Sequence, residues 1–408
     1  MSLRENANKI MNAALDAAMP DTAVKAALEK AEFSGGKLVL IAAGKAGWQM
    51  AKAAYDQKGS RIHGGVVVTK YDHSKGPIAN LEIYEAGHPV PDANSFKATQ
   101  AAIDAVSGLS EEDTVLFLLS GGGSALFEKP LIPEEDLNRL TKQLLACGAD
   151  IVEINTVRKR FSAVKGGRFA ELCKPAKVFT IVLSDVLGDR LDMIASGPAY
   201  PDASTTEEAQ RIVTKYDLTL TDHMKELLLA ETPKKLDNVE THITGSVRQL
   251  CISAEKTCQE LGYDTVILTD RLCCTARDAG VFLSNIARYY GDSGKKMAFL
   301  AGGETVVHLT GHGLGGRNQE LALAAADGIA GMNACGFSLG SDGTDGPTDA
   351  AGGYVDGNTC QTLKDQGILI SDVLQDNDAY HALQKCDGLI ITGATGTNVN
   401  DISVLLIN

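Results

Sequence analysis

Glycine-rich stretches carrying single charges are where this chain could do chemistry. From Leu38 to Ala54, "LVLIAAGKAGWQMAKAA" passes from an apolar β-like run through Gly44, Lys45 and Gly47 into a helix-like run. A lysine in a glycine-lined turn at a helix start can clamp a phosphate or carboxylate, because that helix end already favours anions. The same residues also read as a degenerate dinucleotide fingerprint, Ala42-x-Gly44-x-x-Gly47, with alanine in place of the first glycine. "LLSGGGSALF" sets Ser120, Gly121, Gly122, Gly123 and Ser124 between an apolar strand and a helix, so successive N–H groups can cradle phosphate oxygens without a side-chain cation.

Further clusters supply charge. In "SDVLGDRLDMIASGPAYPD", Asp185 and Asp189 follow a strand, where a carboxylate can hold hydrated magnesium or take a hydroxyl proton; Asp189 is the preferred metal ligand or base. "NTVRKRFSAVKGGRFAEL" gathers Arg158, Lys159, Arg160, Lys165 and Arg168 in an otherwise acidic chain, and Arg160 and Lys165 are candidates for substrate anions. "GHGLGGRNQELALA" places Arg317 after a glycine loop and before a helix pattern, a second meeting point of cation and helix start. "GSDGTDGPTDAAGG" offers Asp342, Asp345 and Asp349; it lacks the terminal glutamate of a calcium loop, so Asp345 is read as a substrate or magnesium contact in reserve to Asp189. His308 and His312 are four apart but glycine-flanked and without the glutamate of a zinc motif, which excludes that site.

The familiar phosphate loop is missing. "SGGKL" and "DSGKKM" lack the hydroxyl residue after lysine, and neither H-R-D nor D-F-G occurs. A nicotinamide enzyme is disfavoured too, since "GGVVVTK" ends in Thr69 and Lys70 where an acidic residue would grip the adenosine ribose; Lys70 would still suit a 2′-phosphate.

The elements that must position these groups alternate between strand and helix. "KLVLIAAG", "GGVVVTK", "DTVLFLLSGGG", "KVFTIVLSD", "DTVILTD", "KKMAFLAGG" and "CDGLIITGATG" are short and apolar, the mark of buried strands whose carboxyl ends carry loops. "DANSFKATQAAIDAVSGL" and "GSVRQLCISAEKTCQELG" have helical spacing between them. The expected fold class is α/β: two Rossmann-like domains with mainly parallel sheets flanked by helices, an active-site cleft between them, and ligands at the strand ends. The polar stretch "TPKKLDNVETH" puts the boundary at 240/241, giving domains 1–240 and 241–408. With a net charge of −14, neither nucleic acid nor an anionic membrane is an expected partner. Nine scattered cysteines without C-x-x-C, an N-terminus without an apolar signal core, and the lack of a bilayer-length apolar run make a cytoplasmic protein the expectation.

Taken together, "AAGKAGWQMAKAA", "GHPVPD", "SGGGSALF", "NTVRKRFSAVKGGR", "SDVLGDRLDMIASGP", "GGETVVHLTGHGLGGRNQELALA" and "SDGTDGPTDAAGG" resemble, in this order, the glycerate 2-kinases whose C-terminal part is called MOFRL. The resemblance spans nearly the whole chain. It implies two α/β domains around a cleft, cytosolic location, use of ATP and Mg2+, and phosphorylation of D-glycerate at its 2-hydroxyl to 2-phosphoglycerate. It also implies active-site roles for Lys45 and Arg317, with small-molecule substrate and nucleotide as partners and the oligomeric state left open. Related sequences are often labelled hydroxypyruvate reductase, so an NAD(P)H-dependent reductase and a non-catalytic sugar-acid or nucleotide sensor stand as alternatives.

Overall fold

The computed structural model describes residues 2–29, 31–33, 35–186, 188 and 190–408. The chain divides into two compact units, one of residues 24–183 and 189–244, the other of residues 1–23, 184–188 and 245–408. The expected division at 240/241 falls inside a strand, Val239–Gly245. Residues 1–23 are grouped with the C-terminal residues for a packing reason. Helix Leu3–Ala18 lays Ala7, Ile10, Met11 and Ala14 against Leu250, Cys251, Ala254 and Cys258 of helix Val247–Glu260. Its apolar stripe finds a partner more than two hundred residues away.

The first unit is built on β1 (Leu38–Ala43), β2 (Ile62–Lys70), β3 (Leu81–Ala86), β4 (Thr114–Leu119), β5 (Lys177–Leu183) and β6 (Val239–Gly245), in the order β3-β2-β1-β4-β5-β6. The pairs β2–β3, β1–β2, β1–β4 and β4–β5 are parallel. Val178 N–H donates to the Asn238 carbonyl and Ser184 N–H to that of Gly245, so β5 and β6 run in the same direction. Every residue of β1 and of β4 is buried, which explains their unbroken apolar runs. This order reverses between β1 and β4, so the loops after these two strands flank the switch point where open α/β sheets bind ligands. Helices Glu134–Ala146, Ile151–Arg158, Thr206–Lys215 and Asp222–Leu228 form a separate packed group around Leu137, Leu140, Val157, Phe161 and Met224.

The second unit has a mixed sheet of β7 (Asp264–Leu272), β8 (Met297–Gly303), β9 (Ala334–Gly340), β10 (Gly352–Asp356), β11 (Leu389–Ile390) and β12 (Asp401–Ile407), ordered β11-β10-β9-β12-β8-β7. Only β7–β8 is parallel; β12 lies antiparallel between β8 and β9. Helix Val247–Glu260 packs on Ala298, Leu300 and Leu406, while helix Arg317–Ala326 packs on Phe299, Val355 and Leu405. Alternate residues of one strand thus feed two cores, as the pleat dictates. Among the described residues no helix is long and apolar enough to cross a membrane.

Candidate active site

Two loops at the β1/β4 switch point are locked together. Gly44 N–H donates to the Val68 carbonyl at 3.1 Å, Lys45 N–H to the Gly121 carbonyl at 2.8 Å, Ala46 N–H to Ser120 Oγ at 3.1 Å and Gly47 N–H to the Gly44 carbonyl at 2.9 Å. The glycines permit this closeness. Gly44 has φ +129°, and a Cβ there would lie 2.2 Å from Ser120 Oγ; at Gly47 it would lie 2.9 Å from the Val68 carbonyl oxygen. The backbone of the first loop is therefore spent on protein acceptors. Gly44 and Gly47, expected to contact phosphate, instead let the two loops pack.

The second loop has the opposite character. Ser120 N–H is taken by the Ala43 carbonyl at 3.0 Å. For the N–H groups of Gly121, Gly122, Gly123 and Ser124, however, no acceptor is found among the described residues. Gly122 sits at φ +84°, and a Cβ added there would come within 3.2 Å of Lys45 Cγ and 3.1 Å of His88 Nε2. The Lys45 side chain and the His88 ring therefore both border this run of free donors. Lys45 Nζ itself makes no hydrogen bond or ion pair among the described residues, while its carbonyl is held by Thr69 Oγ1 at 3.1 Å and His73 Nδ1 at 3.0 Å. Burial, then the nearby Lys45 and Lys70 ammoniums and His73, lower the His88 pKa, so the ring is neutral at neutral pH. Its motif, "GHPVPD", was visible in the sequence, but only the fold brings it beside Gly122.

The basic motif plays another part than expected. Arg160 is fully buried and donates to the Ala230 and Ser204 carbonyls and to Glu231 Oε2 at 2.9 Å. Lys165, also fully buried, donates to the Ser124 carbonyl at 2.7 Å and pairs with buried Glu128 at 3.3 Å. Burial pushes Lys165 down to about 8, with the Glu128 carboxylate opposing. In this structure both side chains are held by protein groups rather than open to a ligand. Lys165 instead fixes the carbonyl side of the Gly121–Ser124 loop, leaving the N–H side open.

In the second unit Arg317 begins helix Arg317–Ala326 and forms a two-pronged pair with Asp401, Nε to Oδ2 at 2.5 Å and Nη2 to Oδ1 at 2.9 Å; Nη1 lies 3.2 Å from Glu304. The hydrogen-bonded Asp401 and then Glu304 hold the guanidinium firmly cationic. Asp345 is 3% exposed and caps the same helix, accepting from Asn318 N–H at 3.1 Å and Gln319 N–H at 2.9 Å. It occupies the helix end where a ligand anion would otherwise sit. Burial pushes its pKa up to about 6, against those N–H groups. Asp401 and Glu304 were not anticipated as partners of Arg317, although Glu304 stands within the quoted "GGETVVHLTGHGLGGRNQELALA". Asp189 lies outside the described residues. Among the described residues no group of three metal-ligating side chains converges.

At the switch point of this parallel sheet, four amides and one lysine are without a protein partner among the described residues, an arrangement that suits an anion in an α/β fold. Residues 6–229 match the profile described as domain of unknown function (DUF4147), and residues 297–401 match the MOFRL family. The D-glycerate 2-kinase of Thermotoga maritima is 53% identical, the alignment covering 100% of this chain and 99% of that one. The glycerate 2-kinase of Pyrococcus horikoshii is 39% identical over 100% of this chain and 98% of its own. The crystal structure of glycerate kinase from Thermotoga maritima superposes with a TM-score of 0.96 at 52% identity, covering 100% of this chain and 99% of that one. The chain belongs to the glycerate 2-kinase family with a MOFRL C-terminal part.

Proposed function

We propose that this chain transfers the γ-phosphoryl group of ATP to the 2-hydroxyl of D-glycerate, giving 2-phosphoglycerate and ADP. One observation carries the reading: the four unengaged N–H groups of Gly121 to Ser124 stand beside Lys45, whose ammonium has no protein partner among the described residues. The names of the two kinase relatives supply the substrate. Phosphoryl transfer depends on positioning and charge stabilisation. The amides orient phosphate oxygens, and Lys45 neutralises charge as it builds on the migrating group. Neutral His88, which borders this loop from the segment after β3, accepts the proton of the attacking hydroxyl. Arg317 enters as a positioned cation. Asp401 fixes one edge of its guanidinium, and the Glu304 contact, between side chains 34% and 48% exposed, is exchangeable for a ligand anion.

Magnesium bound with nucleotide needs only one or two protein carboxylates in addition to phosphate oxygens. The described residues fit that arrangement better than an all-protein metal cage, since no three ligating side chains converge. Asp189 is the carboxylate proposed for it, and magnesium would supply further neutralisation of phosphate charge. The nine cysteines are all free, which accords with a cytoplasmic setting.

The strand order β3-β2-β1-β4-β5-β6 is that of dinucleotide-binding sheets and favours a second reading, a nicotinamide-dependent hydroxypyruvate reductase. Against it, the first-loop amides that would meet a pyrophosphate are already bonded to protein. Incubation with ATP, Mg2+ and D-glycerate, with products resolved into 2- and 3-phosphoglycerate, tests the proposal. Dominant 3-phosphoglycerate, or oxidation of NAD(P)H by hydroxypyruvate without phosphorylation, refutes it.

A further inference from the structure

Beside helices Ile151–Arg158 and Thr206–Lys215 lies a cavity of about 500 Å3 that the steps above do not use. Its wall combines apolar Val152, Met193 and Ile212 and the Asn155 amide with charged side chains of both signs, Glu208 and Arg211 among them. Asn155 is 5% exposed, and its Oδ1 accepts from Ser196 Oγ at 3.0 Å. Ser196 Oγ in turn lies 3.0 Å from Ser124 Oγ. Two hydrogen bonds therefore join the end of the free-amide loop to the cavity wall. Among the described residues the Asn155 NH2 has only the Met193 sulfur at 3.7 Å, a weak acceptor, and so keeps a donor for a ligand.

We propose that this cavity takes the nucleoside of the phosphoryl donor, with the phosphates running toward the amides of Gly121 to Ser124; this rests on the kinase reading. Size separates the two substrates. A three-carbon acid would leave most of the volume empty, whereas a nucleoside is of the size that cavities of this class enclose. The wall has the matching chemistry. Aliphatic side chains and a thioether suit the faces of a base, the amide suits its edge, and the oxygen of Glu208 that does not cap the helix through Thr205 N–H suits a ribose hydroxyl.

Two measurements test this. Ile212→Trp fills the cavity, and the KM for ATP is expected to rise about tenfold or more while the KM for D-glycerate stays within about twofold, with ADP affinity by calorimetry falling in parallel. In the unsubstituted protein, 8-azido-ATP is expected to label peptides from residues 152–156 or 203–212, with protection by ATP and not by D-glycerate. Labelling confined to other peptides, undetectable ADP binding, or ADP affinity unchanged in a folded Ile212→Trp protein overturns the assignment. The two readings fail separately. Labelling here without phosphoglycerate formation sustains the cavity and defeats the glycerate reading; phosphoglycerate formation with labelling elsewhere does the reverse.

Discussion

Lys45→Ala separates chemistry from architecture. The Lys45 ammonium makes no hydrogen bond or ion pair among the described residues, and the loop is held by main-chain bonds from Gly44, Lys45, Ala46 and Gly47 that the substitution leaves intact. Its side chain contributes mainly the passage of Cγ past Gly122. Folding stability is therefore expected to change by no more than about 0.5 kcal/mol, as for an exposed substitution. If the ammonium neutralises charge on the migrating phosphoryl group, its loss resembles removal of one electrostatic stabiliser, about 3 kcal/mol in the barrier or at least roughly a hundredfold in turnover. Lys45→Arg should restore only part of this, because Gly122 and His88 crowd the path that a wider planar group would need. The assay is steady-state formation of 2-phosphoglycerate at saturating ATP and D-glycerate, beside thermal unfolding of each variant. An alanine variant with normal melting and near-normal turnover refutes the reasoning and makes the loop purely structural.

Arg317→Ala should behave differently, because it strands Asp401, a buried carboxylate, without its partner; a cost of about 3–5 kcal/mol by urea unfolding is expected. Arg317→Ala with Asp401→Asn should recover much of that stability without recovering activity, and equal destabilisation of the single and double variants would refute the pairing argument. Asp345 has its pKa pushed from 3.8 up to about 6, so its folded state holds the proton more tightly than the unfolded one. The stability this group contributes is complete below pH 4 and is lost as pH rises through 6, a total of about 3 kcal/mol. The stability of the native protein relative to Asp345→Asn should thus decline across that window, and parallel stability–pH curves would exclude the effect. Asp189→Asn should raise the magnesium concentration needed for half-maximal activity; an unchanged titration would remove Asp189 from the metal's surroundings.

Local pattern was enough for much of the first unit. The buried runs of β1, β4 and β5, the Asp92 cap of helix Ala93–Val106 and the glycine turn after β4 each follow from a few consecutive residues. The second unit was less legible. Of "CDGLIITGATG" only Leu389–Ile390 is strand, whereas Ala334–Gly340 and Asp401–Ile407 went unmarked. The first of these is broken by Gly336 and by Ser338, whose buried hydroxyl is satisfied by Asn318 at 2.6 Å and Ser403 at 2.8 Å. A polar residue in a strand reads as solvent-facing until its distant partners are known.

The sequence by itself determined the residue types at the site: glycines where loops must pass within contact distance, a lysine among them, and an arginine at a helix start. Which of these groups remain available was decided only by the tertiary structure. Lys45, Arg160, Lys165 and Arg317 are equivalent as formal charges in the sequence. In the fold Lys165 is spent on Glu128, Arg160 on Glu231 and carbonyls, and Arg317 mainly on Asp401, while Lys45 has no partner among the described residues and stands beside open amides. The glycine loops divide in the same way, one with its N–H groups closed by Val68, Gly121, Ser120 and Gly44, the other with them open. The reason is that a charge or an amide can act on a ligand only if no protein group has already satisfied it. That satisfaction depends on partners distant in the chain, which local spacing does not encode.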